Sequence, residues 1–203
     1  MILYDSTRAP NPRRVRIYLA EKGLHVPIEQ VDMMARQNRQ PDFLAKNPVG
    51  GLPVLELDDG TCISESVSIC RYFEELHPTP PLFGTGAKGK AIVDMWLRRV
   101  ELNLMSPIGM VWIHGHALTA KLIRQIPEAA EQNRARTAIG YKLFDDQLAK
   151  HEFIAGDTYT VADAVALATY DFGAGLVGVP PEESLVHLKR WHDAVSARPS
   201  AKA

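Results

Sequence analysis

Asn47-Pro48-Val49-Gly50-Gly51-Leu52-Pro53-Val54-Leu55-Glu56-Leu57-Asp58-Asp59-Gly60-Thr61-Cys62-Ile63-Ser64-Glu65-Ser66 is the stretch on which the reading of this chain turns. The Gly50-Gly51 pair marks a turn, and Val54, Leu55 and Leu57 begin an apolar strand. Asp59-Gly60 supplies a two-residue hairpin turn, and Thr61-Cys62-Ile63 returns as a second strand. Proline cannot donate to a sheet ladder. Pro53 at the head of a central strand therefore predicts a cis Leu52-Pro53 bond, with the Leu52 backbone turned outward to pair with something extended. The hairpin runs directly into Ser64-Glu65-Ser66, the polar start of an apolar-periodic helix. A carboxylate and a hydroxyl at a helix start suit a small ligand that carries both an ammonium and a carboxylate. Together these features predict a clamp for a peptide-like ligand.

Working outward, Ile2-Leu3-Tyr4 reads as a short strand. A helix from about residue 11 to 22 carries Val15, Tyr18, Leu19 and Lys22 at helical spacing, with Gly23 as its stop. Residues 26–31 read as a second strand, residues 42–46 as a short helix, and residues 65–77 as the helix after the hairpin. This alternation predicts an α/β, thioredoxin-like domain over residues 1–78. Pro78, Pro80, Pro81, Gly84 and Gly86 then mark a linker. No strand pattern follows it. Val93, Trp96, Leu97, Val100 and Leu104 share one helical face, as do Thr137, Tyr141, Phe144 and Leu148. Residues 162–170 are apolar almost all round, as a central bundle helix would be, and Leu185, Leu188, Trp191 and Val195 give a last amphipathic helix. An all-helical domain over residues 87–203 is predicted.

The 203 residues are 46 % apolar and 23 % charged, the composition of an ordinary globular chain, and the net charge is −1. That balance gives no reason to expect nucleic acid or an anionic membrane as a partner. No apolar stretch approaches the ~20 residues that span a bilayer. The chain opens as a strand without a leader pattern, so a cytoplasmic protein is expected. Cys62 and Cys70 form no Cys-x-x-Cys pair and read as buried thiols. The absence of cysteine between Tyr4 and Arg14 weighs against a thiol–disulfide exchange enzyme. His114 and His116 are two apart, on different faces of a helix, so no shared metal is expected.

The segments Lys46-Asn47-Pro48-Val49-Gly50-Gly51-Leu52-Pro53-Val54-Leu55 and Ser64-Glu65-Ser66 resemble the glutathione-binding half of the cytosolic glutathione transferase superfamily. Phe153-Ile154-Ala155-Gly156-Asp157 followed by Thr160-Val161-Ala162-Asp163 resembles that superfamily's buried capping box, so the likeness runs over nearly the whole chain. The resemblance implies a thioredoxin-like domain that binds glutathione and a helical domain that carries the acceptor pocket. It implies glutathione as co-substrate with no further cofactor, a small electrophile as second substrate, and a homodimer. Gly51, Leu52 and Pro53 would then border the ligand, Glu65 would meet its ammonium, and Ser66 would hold the γ-glutamyl carboxylate. Trp112 or His114 would line the acceptor pocket. A glutathione-dependent isomerase or dehalogenase, or a non-catalytic regulatory protein of the same fold, are the alternatives.

Such an enzyme must bring a thiol pKa from ~8.5 toward neutrality, and a shift of ~2 units corresponds to about 2.7 kcal/mol of preference for the thiolate. The activating group is sought in the loop Asp5-Ser6-Thr7-Arg8-Ala9-Pro10-Asn11-Pro12-Arg13-Arg14-Val15-Arg16. Arg14-Val15-Arg16 resembles the first helix of serine-type members, yet the serine position holds Ala9, and the cysteine position beside it holds Pro10 and Asn11. Asn11 remains as an amide donor or as a helix cap ahead of Pro12. Ser6 and Thr7 remain as hydroxyl donors or turn formers, and Tyr4 as a packed residue or a strand-end donor. Thiolate stabilisation is expected to be shared among the helix N-terminus, backbone N–H groups, the Asn11 amide and water. For the glycine carboxylate, the polar residues near in sequence are Asn38, Gln40 and Lys46.

Overall fold

A computed structural model describes residues 1–203 and divides them into two compact units, residues 1–82 with 199–203, and residues 83–198. The first unit runs β1 (Ile2–Asp5), α1 (Pro10–Lys22), β2 (Ile28–Gln30), α2 (Pro41–Lys46), β3 (Val54–Glu56), β4 (Cys62–Ser64) and α3 (Ser66–Leu76). Its sheet has the order β2-β1-β3-β4, with β1 parallel to β2 and the other neighbours antiparallel. This is the predicted thioredoxin-like arrangement. β2 is shorter than the sequence suggests and wholly exposed. Its ladder nevertheless reaches one bond further at each end, through Leu3 N–H to Pro27 O and Val31 N–H to Asp5 O, both 2.8 Å.

Both faces of the sheet are covered. Tyr4, Val31, Leu52 and Val54 form a buried cluster with Phe43 of α2, and Tyr4 meets Phe43 edge-on at 6.1 Å. Leu3 points to the opposite face by strand alternation and is fully buried, as are Val15, Ile17 and Tyr18 of α1 and Ile69 and Cys70 of α3. Cys62 is only half-buried, so just one of the two thiols is the buried core thiol the sequence predicts. Lys22 pins the end of α1 to α3 and to the segment after it. Its ammonium pairs with Glu74 at 2.6 Å and donates to the carbonyls of His77 and Pro80.

The second unit begins with α4 (Gly86–Val100), continues through a π-helical turn at Glu101–Met105, and ends its first long helix in α5 (Ser106–Gly115). It is completed by α6 (Pro127–Leu148), α7 (Val161–Asp171), a second π-helical turn at Phe172–Val177, and α8 (Val186–Ser196). Neither π turn is legible in the sequence. Gly140 lets α6 close on the first of them, because a Cβ there would collide with Asn103 O. Residues Val161 to Thr169 of α7 are all buried, as predicted for a central helix.

Thr160 and Asp163 form the expected capping box. The Asp163 carboxylate also accepts Ile154 N–H and Trp191 Nε1–H, each at 2.9 Å, which ties α8 to the start of α7. One further difference lies at the C-terminus. The sequence assigns it to the helical domain, but the 3-10 turn Pro199–Lys202 packs on α1, with Arg13 Nη2 donating to Ala201 O at 3.1 Å.

Candidate functional site

The registers of β3 locate the site. Tyr4 pairs with Val54 on one side, and Val54 pairs with Ser64 on the other. Ser6 follows β1, Leu52-Pro53 precedes β3, and Glu65-Ser66 follows β4, so Ser6, Leu52 and Ser66 all lie at one end of the sheet. α1 and α3 start at that same end. The Leu52-Pro53 bond is cis, as the sequence predicts, and Thr79-Pro80 is a second cis bond that the sequence does not reveal. The Leu52 side chain is 8 % exposed in the core, while its N–H and C=O have no partner within the chain. An extended ligand can pair with both.

The loop ahead of Pro53 is tied down by side chains. Asn47 donates to Gly51 O at 2.9 Å and accepts Val49 N–H at 3.2 Å, and Asn38 donates to Gly50 O at 2.8 Å. Gly50 has φ 66°, and a Cβ there would meet both Arg39 Nη1 and Asn38 O at 2.8 Å. Asn38 is thus held inside the loop. Lys46, another of the three residues considered for the glycine carboxylate, is engaged by Glu56 at 2.6 Å. Gln40 caps neither helix with its side chain. The exposed cation beside the loop is Arg39, whose Nη1 donates to Val49 O at 3.0 Å. Sequence reasoning misses it, although it lies one residue from two of the positions considered.

Glu65 is exposed, with φ 69° and ψ 116°, an arrangement that costs a non-glycine residue roughly 1–3 kcal/mol. Ser66 is the first residue of α3 and is 5 % exposed. Its hydroxyl accepts a 3.4 Å hydrogen bond from Arg14 Nη1, which leaves its proton free to donate. The first α3 amide with a backbone partner is Ile69 N–H, to Glu65 O at 3.0 Å. The N–H groups of Ser66, Val67 and Ser68 therefore face outward at the positive end of the helix.

The β1–α1 loop differs from expectation in one respect. α1 begins at Pro10 with Ala9 as its N-cap, so Asn11 is the second helical residue and not a cap. Pro10 and Pro12 have no N–H, and Arg13 N–H reaches Ala9 O at 3.4 Å. Asn11 N–H is thus the single open amide of the first turn, and Asn11 Oδ1 is buried without a partner. Thr7, one of the three expected donors, gives both its N–H and its hydroxyl proton to Gln30 Oε1, at 3.0 and 2.8 Å. The Ser6 hydroxyl has no partner, while Ser6 O accepts Ala9 N–H at 2.9 Å. Tyr4 is removed from consideration by geometry. Its hydroxyl donates to Glu56 Oε2 at 2.7 Å, and burial together with that carboxylate holds the phenol above its ordinary range. Cys62 is likewise pushed up by burial and by the Glu56 charge, so neither group supplies an anion near neutrality.

In the second unit, Trp112 stacks on His116 at 4.3 Å and meets Phe172 edge-on at 5.6 Å. The Trp112–His116 spacing of one helical turn is visible in the sequence; Phe172, from the second π turn, is not. His114 is placed apart from this cluster, its Nδ1 accepting Ile126 N–H at 3.3 Å.

Comparison with known proteins bears on this geometry. A family model described as "Glutathione S-transferase, N-terminal domain" matches residues 3–81, and one described as "Glutathione S-transferase, C-terminal domain" matches residues 106–199. The chain is 34 % identical to Glutathione S-transferase 2 of Saccharomyces cerevisiae, over 100 % of its own length and 88 % of that protein's. Among solved structures, it is similar to a glutathione S-transferase domain-containing protein of Marinobacter aquaeolei, with TM-score 0.93 and 39 % identity over 98 % of this chain and 99 % of that one. Gtt2 from Saccharomyces cerevisiae is similar too, with TM-score 0.94 and 34 % identity, covering 100 % and 99 %.

Proposed function

As the chain belongs to the cytosolic glutathione transferase superfamily, we propose that it is a transferase that binds glutathione in its first unit and stabilises the thiolate for attack on a small electrophile. The observation that carries the reading is Leu52, whose side chain is packed in the core while its N–H and C=O remain open at the sheet end. The cysteinyl backbone of glutathione pairs there as a short added strand. The γ-glutamyl carboxylate takes the Ser66 hydroxyl and the open N–H groups of α3, and Glu65 meets the ammonium. Arg39 supplies the charge for the glycine carboxylate.

The sulfur then falls near the start of α1. Ser6 Oγ, Asn11 N–H and the Asn11 amide share its stabilisation, and two or three such contacts at about 1 kcal/mol each supply the ~2.7 kcal/mol required. Thr7 contributes by holding the loop. Within the second unit, Trp112, His116 and Phe172 form an aromatic cluster that suits an apolar ligand. Glutathione is the co-substrate, and no further cofactor enters the reaction. The cytoplasm, where glutathione is kept reduced, suits this chemistry. A homodimer accords with a cleft on the second unit in which Pro107 and the exposed Leu102, Ile139 and Leu143 lie beside Asn103 and Arg136.

The test is calorimetric titration of glutathione, followed by conjugation of chlorodinitrobenzene at saturating glutathione. Micromolar-to-millimolar binding with turnover supports a transferase. Binding without turnover on a panel of electrophiles points to a regulatory protein, and no binding overturns the site.

A further inference from the structure

Of the groups proposed to meet the sulfur, Ser6 stands on the β1–α1 loop, and a loop holds a reacting geometry only if other residues fix it. Asp5, fully buried, receives Arg16 Nη1 on both carboxylate oxygens at 2.7 Å. The same guanidinium reaches across to Thr7 O through Nη2 at 3.1 Å. Thr7 is held from the other side by Gln30, and Asp5 O by Val31 N–H at 2.8 Å. Ser6 therefore lies between two clamped neighbours, with its own carbonyl closing a turn onto Ala9 at the mouth of α1.

We infer that Arg16 is a positioning residue of the thiol site: by bridging the Asp5 carboxylate and the Thr7 carbonyl, its guanidinium fixes the loop that carries Ser6 and leads to Asn11. The inference rests on the thiolate-stabilising function proposed above. Arg16 comes from the middle of α1, a rigid element, and its side chain is only 13 % exposed, so this is not a surface ion pair. Asp5 neutralises its charge at close range. Its effect on the sulfur is accordingly one of placement, since hydrogen bonds weaken steeply once distance and angle are lost. The three bonds need a planar fork. A lysine ammonium in the same place keeps the charge but not the bridge between two chain segments.

The thiolate absorbance of glutathione bound to the protein, followed against pH, tests this. It is to be measured in the wild type, Arg16→Lys, Arg16→Met and the double variant Asp5→Asn/Arg16→Met. The double variant leaves no unpaired charge in the interior and so keeps a folded protein available. Arg16→Met and the double variant are expected to raise the titration midpoint of the bound thiol by about one unit, a tenfold smaller thiolate fraction at pH values below both midpoints. Arg16→Lys should fall between these and the wild type. Glutathione affinity, set by Leu52 and Ser66, should change less than about threefold. A folded double variant with an unmoved midpoint overturns the inference, because a purely structural ion pair lowers the unfolding midpoint without touching the thiol. A wild-type complex that holds no thiolate near neutrality overturns the proposed function and this inference together.

Discussion

Ser66 accepts from Arg14 and keeps its own proton free to donate, at a position only 5 % exposed. Ser66→Ala should weaken glutathione binding by about tenfold or more, since a charge-assisted bond contributes roughly 1.5–3 kcal/mol. Titration calorimetry checks this, with an unchanged thermal melt to show that the fold survives. The proposed sulfur contacts are expected to behave differently, because they would be shared. Ser6→Ala and Asn11→Ala should each lower kcat/KM by less than about tenfold, equivalent to ~1.4 kcal/mol, and together by more than either alone. Asn11→Ala keeps the helix start intact, because Asn11 is not the cap of α1. Its effect on stability should be small while its effect on the pH–rate profile is not. Abolition of activity by either single change would contradict a shared site.

Elements are joined in this protein by buried charged groups with many partners. Lys22 has no exposed side-chain surface and links α1 to Glu74 of α3 and to the carbonyls of His77 and Pro80. Lys22→Met should destabilise by about 1–3 kcal/mol, since Glu74 keeps the Tyr18 hydroxyl as a donor, and Lys22→Met/Glu74→Leu by at least as much, because the buried Tyr18 hydroxyl then loses that acceptor. Urea unfolding of the two variants gives the comparison. In the second unit, complete burial pushes the Asp163 carboxyl up to about 6 from 3.8, against four hydrogen bonds that favour the anion. A raised folded-state pKa contributes stability that is fully present below about 3.8 and is lost as pH rises through about 6. Between pH 5 and pH 7.5 the wild type should therefore lose about 1 kcal/mol relative to Asp163→Asn, read from urea midpoints of both proteins. Asp163→Asn should also be less stable than the wild type throughout, because its amide cannot accept from Ile154, Thr160 and Trp191 together.

For the whole molecule, the exposed apolar residues of the second unit are the observation to explain. Leu102 is 63 % and Ile139 71 % exposed, and both line the same cavity as Leu143 and Gly140. A second copy of the chain covering this surface would remove that area from water, at about 25 cal/mol per Å². Ile139→Glu should convert a species of roughly twice 22.5 kDa into one of 22.5 kDa by sedimentation velocity, with the circular dichroism unchanged. A wild type that sediments as a single 22.5 kDa species at micromolar concentration would remove the dimer from the account.

Local rules were enough for much of this chain. Gly23 (φ 65°) ends α1, Thr160 and Asp163 start α7, a proline-rich linker separates the α/β part from the helical part, and Asp59-Gly60 marks the hairpin, although Leu57 N–H bonding to Thr61 O makes its loop the three residues Asp58-Asp59-Gly60 and not the two predicted. Each depends on residues within a few positions of one another, so sequence spacing determines it. Glu65-Ser66 was legible as the polar start of a helix for the same reason, being adjacent. What the sequence could not determine are contacts across long separations. Tertiary structure decided that Thr7 is engaged by Gln30, that Lys46 and Tyr4 belong to Glu56, and that Arg39 is the exposed cation beside Gly50. It also moved the start of α1 to Pro10, stripped Asn11 of a capping role, and brought Phe172 to Trp112 through a π turn with no sequence signal. Polar side chains have several competing partners of similar energy, and only the fold determines which of them lies within hydrogen-bonding distance.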